Sequence, residues 1–567
     1  MESHFFGDDP EKVTTAILIK DNSFDVMQLS YHYVAPLKDA GVDINTLCAI
    51  GLYYGDNNKV TAKEAKAYLD HLLYKLSETN VTTLVVADGN YFKYLAKVTK
   101  VSGSKGYAVD CQLKGVSKID GKPIDYSHIK IILSTNYMAL GHNINLADDL
   151  QLSLRTIAGH LGADGIKLGA NVIEFEEYPN TVIEIDRWFN RLLTRPTIYA
   201  DIEAFSLRFE KAGIGTLGFA WTKSEGIAFD VAHTRTDLNE INQIKESFKA
   251  FLREYEGRIV WHNLLYDMKV IIYTLFMKHD ADWAGMREGL DIAAKHDDTL
   301  VLSYLATNNA VDNVLGLKEL AYEYVGAYAE DVKDISLVPL PDLLTYNLKD
   351  CLATAYVDEK MTPKVIADNQ MDYYVNMAKP SLRSALKMML TGLPMDMGKV
   401  AKAELQIQRI LTRHLDYLRG NKYVEQANFL ITKQRWAAKN ATLKKKRHPI
   451  SKFVMPFNPN SDNQLSVLLY DVLKLPVLDT TDTGNPSTSA KVIKRLLDHE
   501  AAKPHLPILN NLIGFSGASI ILSTFISAFN EFAFTRKTPG EFNNTVWLNG
   551  NLKTTGTKSG RLSSSEP

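Results

Sequence analysis

Asp201 and Glu203 stand two residues apart in the run TIYADIEA. If that run is a strand, its alternation turns both carboxylates to one face. Asn263 and Asp267 are four apart in WHNLLYDMKV, and Tyr346 and Asp350 are four apart in YNLKDCLAT. On a helix that spacing aligns the two side chains of each pair. Each pair is a weak signal by itself, since a chain with 66 acidic residues contains Asp-x-Glu by chance. Taken together they suggest one chemistry. Two divalent ions about 4 Å apart can stabilise charge on both the attacking and the leaving oxygen of a phosphodiester. Mg²⁺ takes hard oxygen ligands and keeps waters, so a few carboxylates suffice; Mn²⁺ fits the same donors. Four acids packed together would repel one another, and bound cations remove that cost. The candidate ligands are Asp201, Glu203, Asp267 and Asp350, and the Tyr346 hydroxyl could orient the attacking water.

These residues need particular elements to carry them. TIYADIEA reads as a strand, followed by a hairpin-like pair, GTLGFAW and GIAFDVA. GRIVWHN reads as a strand running into a helix, with Asn263 at the N-cap. The apolar residues around Asp267, and Leu344, Leu348, Leu352 and Ala353 around Asp350, imply burial of both acids. Upstream, TTAILI, TTLVVAD and IKIILST read as buried strands alternating with the helices TAKEAKAYLDHLLYKL and LADDLQLSLRTIAGHL. After about residue 373 long amphipathic helices dominate. They are interrupted by a basic stretch, Lys433 to His448, and a turn-rich stretch from Phe457 to Ser489.

A chain of 567 residues exceeds one hydrophobic core. We expect a multi-domain α/β protein with boundaries at 1–178, 179–372 and 373–567. Net charge is −2, which excludes a globally basic nucleic-acid coat but allows a local basic cleft. The three cysteines fit no metal spacing and read as reduced thiols. No apolar signal core opens the sequence, and no apolar run is read as a membrane helix, which needs roughly 20 residues. The expectation is a cytoplasmic protein with no membrane partner.

IYADIEAF, WHNLLYDMKV and YNLKDCLAT resemble the three exonuclease motifs of the DnaQ-like 3′→5′ exonuclease superfamily. More closely, they resemble the proofreading domain of family A DNA polymerases of bacteria and bacteriophages. That resemblance implies an RNase H-like α/β domain. It assigns Asp201, Glu203 and Asp350 to the tighter metal, with Asp201 bridging to a second ion that Asp267 supports. It makes Tyr346 the holder of the nucleophilic water and Asn263 a DNA contact. HDDTLVLSYL followed by LGLKELAYEYVG is also similar, with Asp298 and Thr299 in the family's Asp-Thr position.

Five later segments resemble the polymerase half of the same family, mainly a helical thumb and the start of the palm. They are MLTGLPMDMGKV, FNPNSDNQLSVLLYDVLKLPV, GNPSTSAKVIKRL, SGASIILSTFISAF and TGTKSGRLSSSEP. The last is similar to the motif that grips primer–template duplex, with Ser559 where the family has Thr. By that likeness Arg561 reaches the minor groove, while Thr557, Lys558, Ser563 and Ser564 contact phosphate or sugar. The basic stretch would lie at the thumb tip and track phosphates. The remaining palm and the fingers are not in the sequence, so a second polypeptide is expected to supply them in a phage-infected host cell. Residues 1–178 faintly resemble the uracil-DNA glycosylase fold, but Asn136-Tyr137 stands where a His-Pro type motif belongs. A non-catalytic spacer or binding module is the expectation there. The partners implied are primer–template DNA and single-stranded 3′ ends. Two alternatives stay open at this point: a stand-alone DNA or RNA exonuclease, and a non-catalytic DNA-binding assembly subunit.

Overall fold

The structure is a computed structural model. It describes all residues except 1, 56–58, 117–122, 144–145, 167, 169–170, 308–313, 329–333, 442, 444–447, 482–483, 537–542 and 566–567. Part of the expected thumb-tip stretch, 442 and 444–447, and the final Pro567 therefore lie outside the described residues. The chain forms two compact units. One comprises Met1–Lys278, Asp282–Lys387 and Thr554–Ser563; the other comprises His279–Ala281, Met388–Lys553 and Ser564–Pro567.

The first unit holds two six-stranded sheets. The N-terminal sheet uses β1 (Ser3–Phe5), β2 (Thr15–Lys20), β3 (Leu47–Leu52), β4 (Thr83–Val86), β5 (Ala108–Asp110) and β8 (Lys130–Leu133). Its order is β1-β3-β2-β4-β8-β5, with β3, β2, β4 and β8 parallel. β6 (Lys114–Val116) and β7 (Pro123–Asp125) form a separate hairpin. The inner strands are continuous apolar runs because helices cover both faces of a parallel sheet. The expected helices form as Ala62–Leu76 and Leu146–His160. β3, a fully buried LCAIGL, is a central strand that the sequence analysis does not single out.

The second sheet carries the candidate site. Its strands are β9 (Phe175–Glu177), β10 (Thr197–Ala204), β11 (Ile214–Ala220), β12 (Glu225–Asp230), β13 (Arg258–Trp261) and β14 (Asp297–Asp298). The order is β14-β13-β10-β11-β12-β9. β10, β11 and β12 form the expected antiparallel meander, and β13 pairs parallel with both β10 and β14. The edge strand β9 begins before residue 178, so this sheet reaches upstream of the expected boundary.

The 28-residue helix Leu340–Ala367 lies on this sheet. Its Leu344, Leu348, Cys351, Leu352 and Ala355 bury against Tyr199, Ala220, Ala228 and Val260. Gly218, which pairs with Asp201 across the sheet, permits that approach. A Cβ there would lie 2.8 Å from Cys351 Sγ and 3.1 Å from Asn347 Oδ1. Arg258 ties the far end together, donating to Asp358 Oδ1 at 2.9 Å and Oδ2 at 2.5 Å, and also pairing with Asp297.

The second unit is mainly helical. Helices Met397–Arg419, Lys422–Ala441 and Leu506–Ile520 contribute Leu418, Val424, Ile431, Leu509, Leu512 and Phe515 to one core. β15 (Leu393–Met395), β17 (Val546–Leu548) and β16 (Phe534–Thr535) form a small sheet, while β18 (Asn551–Lys553) pairs with β19 (Ser563–Ser565). One expectation is corrected here. A helical run, Glu500–Phe532, is by length and composition long and apolar enough to cross a membrane. Pro507 sits in the first turn of Leu506–Ile520, where its missing N–H costs no helical bond, so the run continues.

Candidate metal centre

β10 positions the first two acids. Ile202 is buried on one face, and Asp201 and Glu203 project from the other, each half-exposed. Helix Leu340–Ala367 adds Asp350, which is 7% exposed. One carboxylate oxygen from each of Asp201, Glu203 and Asp350 lies within 4.8 Å of the other two. Asp267, on helix Leu264–Ile271 after β13, is 4% exposed and stands beside this trio. Its carboxylate accepts the N–H of Ile202, the residue between Asp201 and Glu203. The four acids of the sequence reading are therefore brought together from one strand and two helices.

The environment resists four negative charges. Burial, followed by the charges of Asp267, Asp350 and Glu203, holds the Asp201 carboxyl well above the usual carboxylate range. Burial and the charges of Asp350 and Asp267 push Glu203 up to about 8. Burial also raises Asp267 well above its ordinary value. Four oxygen donors that cannot all stay ionised alone form a donor set suited to hard divalent cations. Asp201, Glu203 and Asp350 could hold one ion, and Asp267 could support a second.

Around the acids lie side chains that spacing did not reveal. Asn347 Nδ2 donates to Asp201 Oδ2 at 2.6 Å, and its Oδ1 accepts Thr216 Oγ1 at 3.3 Å. Asn347 is three residues before Asp350 on the same helix face, which is the signal that could have found it. The Tyr328 hydroxyl donates to Asp350 Oδ1. Tyr346 is half-buried beside Tyr328, their ring centroids 6.0 Å apart. Tyr328 follows no helical or strand periodicity, so the sequence offers no signal for it.

The N-cap reading of Asn263 is corrected. Asn263 occupies the cap position but has a left-handed backbone, φ 67°, and its side chain makes no capping bond. Asp298 does that work from 35 residues away, accepting Asn263 N–H at 3.0 Å and Leu264 N–H at 3.1 Å. With its side chain released from the cap, Asn263 is exposed. The Thr557–Ser564 residues form a separate turn. Thr557 Oγ1 donates to Arg561 O at 2.9 Å, and Tyr304 OH donates to Thr557 O at 2.9 Å. Lys558, Arg561 and Ser564 are exposed, while Thr557 and Ser563 are half-buried.

Residues 198–362, which contain the four acids, match the RNase_H superfamily, and residues 427–567 match DNA polymerase family A. The chain thus carries an RNase H-like domain and, separately, a segment similar to family A DNA polymerases. Similar proteins include DNA polymerase I of Pseudomonas aeruginosa, 22% identical over 387 residues, covering 67% of this chain and 37% of the relative. The DNA polymerase of Escherichia phage T5 is 26% identical over 289 residues, covering 47% and 29%. The thermostable DNA polymerase I of Thermus aquaticus is 34% identical over 113 residues, covering 20% and 12%. The chain thus spans about a third or less of the length of these curated relatives. A solved structure titled as the POL domain of Pol1 from M. smegmatis with DNA primer-template and dNTP is 16% identical, with a TM-score of 0.46. It covers 69% of this chain and 55% of that chain.

Proposed function

We propose that this chain is the 3′→5′ proofreading exonuclease and primer–template-binding portion of a family A DNA polymerase. The observation that carries the reading is the convergence of Asp201, Glu203 and Asp350 within 4.8 Å, on a domain that matches the RNase_H superfamily. In this reading Asp201, Glu203 and Asp350 would hold one Mg²⁺ or Mn²⁺, and Asp267 would support a second. When bound, such ions stabilise charge on the attacking and leaving oxygens. Asn347 fixes the Asp201 carboxylate through its 2.6 Å bond. The Tyr346 hydroxyl orients a water towards phosphorus. That water's oxygen bonds to phosphorus as the bond to O3′ breaks, releasing a nucleoside monophosphate and a shortened 3′ end. Asn263 contacts the strand being cut.

The division into 1–178, 179–372 and 373–567 follows this reading as spacer or binding module, exonuclease, and thumb with the start of the palm. Lys558 and Arg561 grip primer–template duplex, with Thr557, Ser563 and Ser564 on phosphate or sugar. The setting is the cytoplasm of a phage-infected cell, and the similarity to the phage T5 polymerase supports it.

A 5′-labelled primer with a mismatched 3′ end tests the nuclease. With Mg²⁺, the wild-type chain should shorten it stepwise from the 3′ end, and Asp201→Ala should not. Equal, slow degradation by both would overturn the reading.

A further inference from the structure

The rings of Tyr346 and Tyr328 both face one cation, Lys318. It sits on the short helix Leu317–Leu320 in the connection between Ala306 and Leu340. Its Nζ lies 4.8 Å from the centroid of the Tyr346 ring and 5.9 Å from that of Tyr328. The two rings lie at 43° to each other, and the Tyr328 hydroxyl ends on Asp350. One ammonium group thus lies over both the ring of the proposed water-holder and the ring whose hydroxyl anchors Asp350.

The connection is fastened where it carries these groups. Glu323 accepts Lys360 Nζ at 2.6 Å and also takes the Tyr356 hydroxyl. The Tyr324 ring stacks on Tyr356 at 4.8 Å and 4°. Both partners belong to helix Leu340–Ala367, which carries Tyr346 and Asp350. Lys318 and Tyr328 are therefore held in register with the ligands by contacts remote from them.

We propose that Tyr328 and Lys318 are positioning residues of the nuclease centre. Tyr328 holds the Asp350 carboxylate in the orientation a metal needs, and Lys318 fixes the tyrosine pair over the cluster. A ligating carboxylate has lone pairs to spare, so a hydrogen bond to one oxygen orients the group while leaving donors for a cation. A cation over two rings limits their rotation without adding a ligand that would compete for the metal. The proposal rests on the nuclease reading, and its test separates the two.

The test uses the full chain and three variants: Tyr328→Phe, Lys318→Met and Lys318→Arg. Mn²⁺ affinity is read by electron paramagnetic resonance without substrate, and kcat and KM are read on a short single-stranded oligonucleotide. Tyr328→Phe keeps the ring and its packing; it should weaken Mn²⁺ binding about tenfold and leave KM for the oligonucleotide unchanged. Lys318→Met should lower kcat about tenfold at saturating metal, and Lys318→Arg, which keeps a cation over the rings, should recover most of it. Wild-type Mn²⁺ affinity in Tyr328→Phe, or an Arg variant as impaired as Met, overturns the proposal. If Lys318→Met fails to fold, Lys318→Gln takes its place in the comparison with Lys318→Arg, and Tyr328→Phe is unaffected. A wild-type chain that binds Mn²⁺ but cuts nothing overturns the nuclease reading instead, and the Mn²⁺ comparison then judges the role of Tyr328 alone.

Discussion

The side-chain amide of Asn347 donates to Oδ2 of Asp201 at 2.6 Å, joining the strand ligand to the helix that carries Asp350. A ligating carboxylate that must take one orientation depends on such a partner. Asn347→Leu should lower metal affinity and cleavage by roughly 10- to 100-fold while the melting temperature changes little. Parallel Mn²⁺ titration and thermal melts check this. A variant that melts far below wild type would make Asn347 a structural residue only.

Gly218 is the second point at which strand and helix meet. A methyl group there would press on Cys351 Sγ at 2.8 Å and Asn347 Oδ1 at 3.1 Å. Overpacking of this kind costs about 1–3 kcal/mol. Gly218→Ala should therefore lower the urea midpoint and, by displacing Asn347, reduce cleavage more than stability alone explains. Full activity with an unchanged midpoint would show that the helix can shift freely.

The acid cluster gives stability a sign with pH. Without metal, burial and mutual repulsion hold Asp201 and Asp267 well above the usual range and Glu203 up to about 8. The folded state then binds more protons than the unfolded chain, whose carboxyls titrate near about 4. Their contribution is fully present below that value and is lost as pH rises through 8. In EDTA the melting temperature should fall between pH 5 and pH 9, and saturating Mg²⁺ should remove most of the fall. Asp201→Asn should flatten the EDTA curve. A metal-free melting temperature independent of pH would contradict the electrostatics.

Arg258 neutralises a second, separate group of carboxylates. It pairs with Asp358, 6% exposed at its side chain, and with Asp297, 11% exposed. Its own side chain is one-third exposed, so the penalty for removing it sits at the low end of that for a buried pair. Arg258→Met should cost about 3 kcal/mol in chemical denaturation and leave metal affinity near wild type. Loss of metal binding without loss of stability would place Arg258 in the centre itself.

Much of the site was legible before the structure because local periodicity carried it. Alternation along β10 placed Asp201 and Glu203 on one face, and helical spacing placed Tyr346 with Asp350. What periodicity cannot carry was missed. The cap on helix Leu264–Ile271 comes from Asp298, 35 residues downstream, and not from the adjacent Asn263. Tyr328 and Lys318 reach the cluster from an irregular connection whose path is fixed by the Glu323–Lys360 pair and the Tyr324–Tyr356 stack. Long-range contacts of that kind leave no spacing in the sequence. The buried strand β3 was not singled out, although LCAIGL is a short apolar run of the same kind as β2, β4 and β8. The helical run Glu500–Phe532 was not read as one apolar helix; its Pro507 stands in a first turn, where a helix tolerates it.

Lys558 and Arg561 bear on the duplex-binding part of the account. Both are exposed in the turn closed by the bond from Thr557 Oγ1 to Arg561 O. Arg561→Ala should weaken primer–template binding and reduce the salt slope of log K by about 1. Fluorescence anisotropy at several salt concentrations measures this, and an unchanged slope would remove Arg561 from the interface.

The central claim is that Asp201, Glu203 and Asp350 form a metal centre. Diffraction from crystals soaked in Mn²⁺, collected at the manganese absorption edge, tests it most directly. The account expects an anomalous peak within about 2.0–2.4 Å of one oxygen from each of the three carboxylates, lost in Asp201→Ala. An empty site with the carboxyls hydrogen-bonded to one another, at a Mn²⁺ concentration that supports cleavage, would contradict it.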